Sequence, residues 1–312
     1  MEFLNRKEEM RRLDGVWQSS DGGLVVIWGR RRVGKTRLLI EWVRKHNGMY
    51  WVADESSGSV QRRYFSQALE VHFPGFSDVE YPDWDVLLKR LTNEARQKKW
   101  RGPLVLDEFL YLVAAAPELP SIFQRWIDHD AKEQKLTVVL SGSSQSMMAG
   151  LVLDHNAPLY GRAKELFKIN PLPIGYIREG LKIESYRKMV EAYTLWGGIP
   201  RYWELASSYK GDILSSACDL VLDPLGPLHQ EPYRLLLEEA PSAISLRPIL
   251  DVIGMGCHRL SEIARRLGQP VTSLSRPMHR LEDLGLIVRE VPFGESEKSG
   301  KRCLYKIRDP FF

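Results

Sequence analysis

Cysteine is scarce in this chain, and its scarcity removes two classes of protein. Cys218, Cys257 and Cys303 are the whole complement in 312 residues. Odd in number, far apart and in no C-x-x-C arrangement, they exclude a disulfide framework and a zinc cluster and point to a reducing, cytoplasmic setting. Also missing is any run of about eighteen apolar residues, so no transmembrane helix is expected. The first residues, Met-Glu-Phe-Leu-Asn-Arg-Lys-Glu-Glu, lack the apolar core of a signal peptide. No internal repeat and no extended low-complexity tract is visible.

What is present is the composition of a soluble globular protein, 44% hydrophobic and 27% charged, with length enough for two or three domains. The formal charge of +4 is unevenly placed. Residues 257–308 hold eleven Lys/Arg and six Asp/Glu, a net +5, which leaves −1 for the rest. Such a basic segment suits nucleic acid or another acidic partner; a solvated surface is the plainer reading of the charge alone.

Residues 24–37 organise everything else. The apolar run Leu24–Trp28 leads into Gly29, four residues and then Gly34-Lys35-Thr36, the full G-x-x-x-x-G-K-[ST] pattern of a phosphate-binding loop. The two glycines permit the close backbone approach that wrapping a phosphate needs. Lys35 is placed to reach the β/γ-phosphates and Thr36 to put its hydroxyl on Mg²⁺. A helix beginning near Lys35 points its positive dipole end at the same anion. The nucleotide-binding stretch is therefore Gly29, Arg30, Arg31, Arg32, Val33, Gly34, Lys35, Thr36 and Arg37. Before it, Asn5 is a candidate N-cap with Glu8 as capping-box partner, opening a helix that buries Met10, Leu13 and Trp17.

The second half of a nucleotide site is Leu104–Phe109, an apolar strand ending in two acids. At the carboxyl end of a buried strand beside the P-loop strand, Asp107 would hold the magnesium and Glu108 would orient an attacking water. A further buried strand, Leu136–Leu140, ends in Ser141-Gly-Ser-Ser144. Ser143 or Ser144 reads equally as a sensor of the γ-phosphate and as a cap for the following helix. Asp128-His129-Asp130 and Asp154-His155 have metal-ligand types but read as solvated clusters.

Strand–helix alternation through Ile169 calls for an α/β fold, a parallel-sheet P-loop NTPase domain of the ASCE type over residues 1–172. Pro171-Leu-Pro-Ile-Gly marks a composition break, and residues 173–242 read as a helical lid subdomain. Residues 243–312 carry three short amphipathic helices and two β-like runs, the pattern of a winged helix-turn-helix domain. Arg265, Arg266, Ser273, Arg276, His279 and Arg280 lie on or near its candidate DNA-facing helices.

With these pieces placed, the chain resembles, over essentially its whole length, the archaeal-type P-loop ATPases, relatives of the AAA+ and STAND ATPases. The resemblance rests on Phe3-Leu-Asn-Arg-Lys-Glu, the basic P-loop, Leu-Asp107-Glu108, Ser-Gly-Ser-Ser, Pro-Leu-Tyr-Gly-Arg162, Gly-Gly-Ile-Pro-Arg-Tyr202 and Arg-Asp309-Pro. It implies that Arg6 and the Gly198-Ile199-Pro200 turn flank the adenine. It implies too that Arg162 reads the γ-phosphate, in cis or from a neighbouring subunit, with Arg201 a weaker candidate. Without the resemblance Arg162 reads equally as a surface charge. Two departures stand out: Asn5 where many such ATPases have glycine, and an end at Asp309-Pro-Phe-Phe312 where they continue into a further domain, which would make this either a truncated or a naturally short form.

Three functions compete. The first is a Mg²⁺-dependent ATPase with slow hydrolysis, a nucleotide-driven conformational switch that forms oligomers in some nucleotide states and acts through its winged helix on double-stranded DNA or a protein. The second is a DNA-binding transcriptional or mobile-element regulator in which ATP only modulates affinity. The third, a P-loop kinase, is disfavoured by the Asp107-Glu108 pair and the C-terminal domain.

Overall fold

The runs richest in Val, Leu and Ile become the middle of one parallel sheet. The computed structural model describes residues 3–209, 212–239, 245–296 and 302–312. They divide into two compact units, Phe3–Asn170 and Pro171–Phe312.

In the first unit, α1 (Lys7–Gln18) precedes β1 (Gly23–Trp28), α2 (Lys35–Lys45), β2 (Met49–Val52), α3 (Gly58–Leu69) and α4 (Trp84–Gln97). Then come β3 (Leu104–Asp107), α5 (Phe109–Ala115), α6 (Leu119–Trp126), a π-helical turn over Ile127–Ala131, β4 (Thr137–Gly142), α7 (Gln145–Val152) and β5 (Ala163–Lys168). The strand order is β2-β3-β4-β1-β5, with every neighbouring pair parallel. Strands β3 and β4 are buried along their length and β1 along all but its ends, as a sheet covered on both faces requires; β2 and β5 are partly exposed because they form its edges. On the core side Phe65, Trp84, Phe109, Phe123 and Trp126 pack with Leu104, Leu106, Val138 and Leu140. Asp83 caps α4 by accepting from the Val86 N–H at 2.8 Å.

Two local expectations are corrected. The strand bearing Asp107 is not beside the P-loop strand, because β4 lies between β3 and β1. Asn5 does not cap α1: Asn5 and Arg6 both adopt positive φ, the helix opens at Lys7, and Glu8 pairs instead with Arg11 and Arg12. The stripe that α1 buries most completely is Leu13 and Val16, with Met10 and Trp17 only partly covered.

The second unit begins with α8 (Ile177–Leu181), α9 (Tyr186–Trp196), α10 (Pro200–Ser207), α11 (Ile213–Ala217) and α12 (Glu231–Glu239). Between α9 and α10, Gly197 takes a positive φ, Ile199 is extended and Pro200 occupies a first-turn position, where a missing N–H costs nothing. Buried Tyr202 donates to Glu231 at 2.9 Å, and the Trp203 indole N–H donates to the Gly197 carbonyl. Next are α13 (Arg247–Gly254), α14 (Leu260–Leu267) and α15 (Ser275–Asp283), then the antiparallel pair β6 (Ile287–Glu290) and β7 (Leu304–Ile307). Their core holds Ile249, Leu250, Ile253, Ile263, Leu274, Met278, Leu281, Ile287 and Tyr305. Three helices and a hairpin thus occur in the order expected of a winged helix-turn-helix. The boundary expected at 242/243 lies outside the described residues.

Candidate nucleotide site

The P-loop leaves the carboxyl end of β1 and enters α2. Gly29 is confined: a Cβ there would lie 2.6 Å from the Ile169 carbonyl oxygen. Gly34 takes φ 99° as α2 begins, a conformation that favours glycine. The Lys35 ammonium is buried and donates to the carbonyls of Gly29 (2.7 Å) and Arg30 (3.3 Å), so it lies folded over the loop it belongs to. Behind the loop, the Val33 side chain is fully buried and its carbonyl accepts from the Arg6 guanidinium at 2.8 Å. Burial lowers the Arg6 pKa, against the opposing pull of Glu9.

The intervening strand does not keep the acids from the loop, because α2 packs against β2 and β3. The Thr36 hydroxyl donates to Asp107 Oδ2 at 3.0 Å. That oxygen also accepts from the Tyr50 hydroxyl at 2.7 Å, and Asp107 Oδ1 accepts the Glu108 N–H at 3.0 Å. Burial, and then the Asp107 charge, push the Tyr50 pKa far above the ordinary phenol value, so Tyr50 remains a donor. Glu108 sits in the left-handed region at φ 52°, uncommon for a residue with a side chain and the kind of local strain found at functional sites. Its carboxylate accepts from the Ser143 hydroxyl at 2.9 and 3.0 Å and from the Ser143 N–H at 3.3 Å. Ser144 stands at the N-cap position of α7 without a side-chain capping bond.

The residues fit a magnesium nucleotide. A hydroxyl and a carboxylate 3.0 Å apart are the hard oxygens this ion takes, usually one or two from the protein with phosphate and water completing the shell. The loop beside them supplies backbone amides, a helix start and an ammonium.

Not every candidate converges here. Arg162 precedes β5, whose Ala163 pairs with Leu24 near the start of β1, whereas the P-loop follows the end of β1. Four strand residues separate the two ends, roughly 13 Å, and the Arg162 guanidinium is held by both Asp128 carboxylate oxygens at 3.0 and 3.1 Å. Within its own chain Arg162 thus stands at the amino end of the strands, opposite the end from which the P-loop leaves. Arg37 points along α2 to Glu41 at 2.9 Å. Arg30, Arg31 and Arg32 are half-buried, with Arg31 donating to the Tyr111 hydroxyl at 3.4 Å and Arg32 at φ 65°.

Pro200 and Arg201 belong to the second unit, where Arg201 pairs with Glu204. In the same unit Arg265, Arg266 and Arg276 are exposed, Arg280 is half-buried, and the Ser273 hydroxyl is turned back to the Pro270 carbonyl. Sequence reasoning missed Tyr50 and Tyr111. Neither belongs to a motif, and only strand register and loop packing bring them to the site.

A parallel sheet in this order, a glycine-bounded loop running into a helix, and a strand-end acid bonded to that helix define a P-loop nucleoside triphosphatase. The particular family is shown by the matching family model, an ATPase domain predominantly from Archaea, over residues 3–205; the chain belongs to it. An uncharacterized protein of Methanocaldococcus jannaschii is 31% identical over 311 residues, which span 99% of this chain and 67% of that one. A second, an uncharacterized ATP-binding protein of the same organism, is 49% identical over 37 residues, 12% of this chain and 63% of its own length. Among solved structures, the Walker-type ATPase PABY2304 of Pyrococcus abyssi superposes with a TM-score of 0.75 at 20% identity, covering 99% of this chain and 94% of that one. The Aeropyrum pernix ORC2 protein, solved in ADPNP–ADP complexes, superposes at 0.60 with 13% identity, covering 100% and 91%. The chain carries an ATPase domain. Among the described residues no helix is long and apolar enough to cross a membrane.

Proposed function

We propose that the protein binds ATP with Mg²⁺ at the P-loop, hydrolyses it slowly and uses the cycle as a conformational switch. The observation that carries this reading is the 3.0 Å bond between Thr36 and Asp107, which joins the loop helix to the acid strand across β4. The P-loop amides and Lys35 bind the phosphates. Magnesium, when bound, neutralises phosphate charge at the reacting end. Thr36 and Asp107 would hold it, and Glu108, oriented by Ser143, would position the attacking water and draw off its proton. Arg6 would hold the loop in shape through the Val33 carbonyl. Since the sheet keeps Arg162 from its own P-loop, we assign it to a neighbouring subunit's nucleotide, where a planar guanidinium suits several phosphate oxygens. Residues 173–242 would act as a lid, and residues 243–312, as a winged helix, would carry the switch to a partner.

A second reading, a DNA-binding regulator in which ATP only modulates affinity, is favoured by one observation. Arg265, Arg266 and Arg276 are exposed on the helices that a winged helix-turn-helix presents to duplex DNA.

The deciding measurement is nucleotide binding and turnover by three proteins. Lys35→Ala should lose nucleotide binding, and Glu108→Gln should bind ATP without hydrolysing it. Equal turnover by Glu108→Gln and the parent would remove Glu108 from the mechanism.

A further inference from the structure

Tyr50 lies on edge strand β2, and no motif marks it. Its register partner on β3 is Val105, two residues before Asp107. With the side-chain period of two, Tyr50 and Asp107 therefore share a face of the sheet. The diagonal offset suits a long side chain, and the Tyr50 hydroxyl meets Asp107 Oδ2 at 2.7 Å. The same oxygen takes the Thr36 hydroxyl, and the other takes the Glu108 N–H. Three donors from β2, α2 and the start of α5 thus leave the carboxylate one orientation.

We propose that Tyr50 is a positioning residue for the metal-holding acid, fixing the Asp107 carboxylate from the sheet edge beside the Thr36 hydroxyl, the two groups that would hold the cation. This rests on the reading of the site as a magnesium nucleotide site. Tyr50 touches neither phosphate nor reacting atoms; it acts through Asp107. Outer groups of this kind orient a ligand and preserve its geometry at no cost in charge.

The test titrates Mg²⁺ into the full-length protein with a fluorescent, non-hydrolysable ATP analogue, and repeats nucleotide binding in EDTA. Tyr50→Phe removes one oxygen and keeps the ring. It should raise the magnesium concentration for half-saturation about tenfold, at the lower end for loss of an outer-shell partner. Nucleotide affinity in EDTA should stay within about twofold of the parent, since the phosphate-binding amides are untouched. In an Asp107→Asn background, Tyr50→Phe should add nothing further, because the two act as one unit. An unchanged magnesium midpoint in Tyr50→Phe overturns the proposal, as does an equal loss in EDTA, which would mark a general structural role. If the parent binds the analogue equally with and without magnesium, the magnesium-site reading fails first and Tyr50 falls with it; an unchanged midpoint in Tyr50→Phe alone leaves that reading standing.

Discussion

The guanidinium of Arg6 lies buried against the carbonyl of Val33, 27 residues further along the chain, at 2.8 Å. Arg6 reaches it because Asn5 and Arg6 both take left-handed backbone conformations just before α1, which turns the side chain inward. The bond ties the entry segment to the middle of the P-loop. Removing a charged donor leaves the Val33 carbonyl buried without it, a loss of about 1.5–3 kcal/mol. Arg6→Met should therefore lower the denaturation midpoint of the protein and weaken ATP binding together. Binding by Arg6→Met that matches the parent would show that the loop holds its shape unaided.

Ser143 and Glu108 form the second link, from the end of β4 to the end of β3. Ser143→Ala should keep ATP affinity within about twofold while reducing turnover about tenfold, a smaller loss than the hundredfold or more expected when the proton-accepting group itself is removed. Steady-state kinetics separates the two, since a group acting through Glu108 lowers kcat and leaves binding alone. A change confined to KM would place Ser143 at the nucleotide instead.

Arg162 and Lys35 stand at opposite ends of the sheet, and subunit mixing can exploit this. Arg162→Ala keeps an intact P-loop, while Lys35→Ala keeps an intact arginine. Each alone should be inactive, and a mixture should recover part of the parent rate where one subunit's arginine meets the other's nucleotide. A mixture as inactive as its components would remove Arg162 from catalysis in trans.

The exposed arginines of α14 and α15 make a separate prediction. If they meet phosphate, duplex affinity should fall steeply with salt, log K declining by about 0.9 per phosphate contact for each unit of log salt. Replacing Arg265 and Arg266 together by alanine should reduce that slope by about two. No measurable duplex binding by the parent at low salt would leave a protein partner as the reading of this surface.

The local parts of this protein were legible one residue after another. Gly29 to Thr36 needs only its own spacing and a strand and helix on either side. The amphipathic runs of α14 and α15 declare themselves by period. The capping box at Asn5 misled because two consecutive positive φ values outside glycine are rare, and the capping pattern reads the same without them.

Tertiary structure alone decided what meets what. Whether Asp107 lies beside the P-loop strand or one strand beyond it is a matter of strand order, and a chain of alternating strands and helices reads the same for several orders. Register across β2 and β3 brings Tyr50 to Asp107, the parallel pairing of β1 with β5 sets Arg162 at the other end of the strands from the P-loop, and the neighbouring ends of β3 and β4 join Ser143 to Glu108. Periodicity reports which face of an element is buried; it carries no information on which distant element lies against that face, and that is fixed only when the whole sheet closes on its helices.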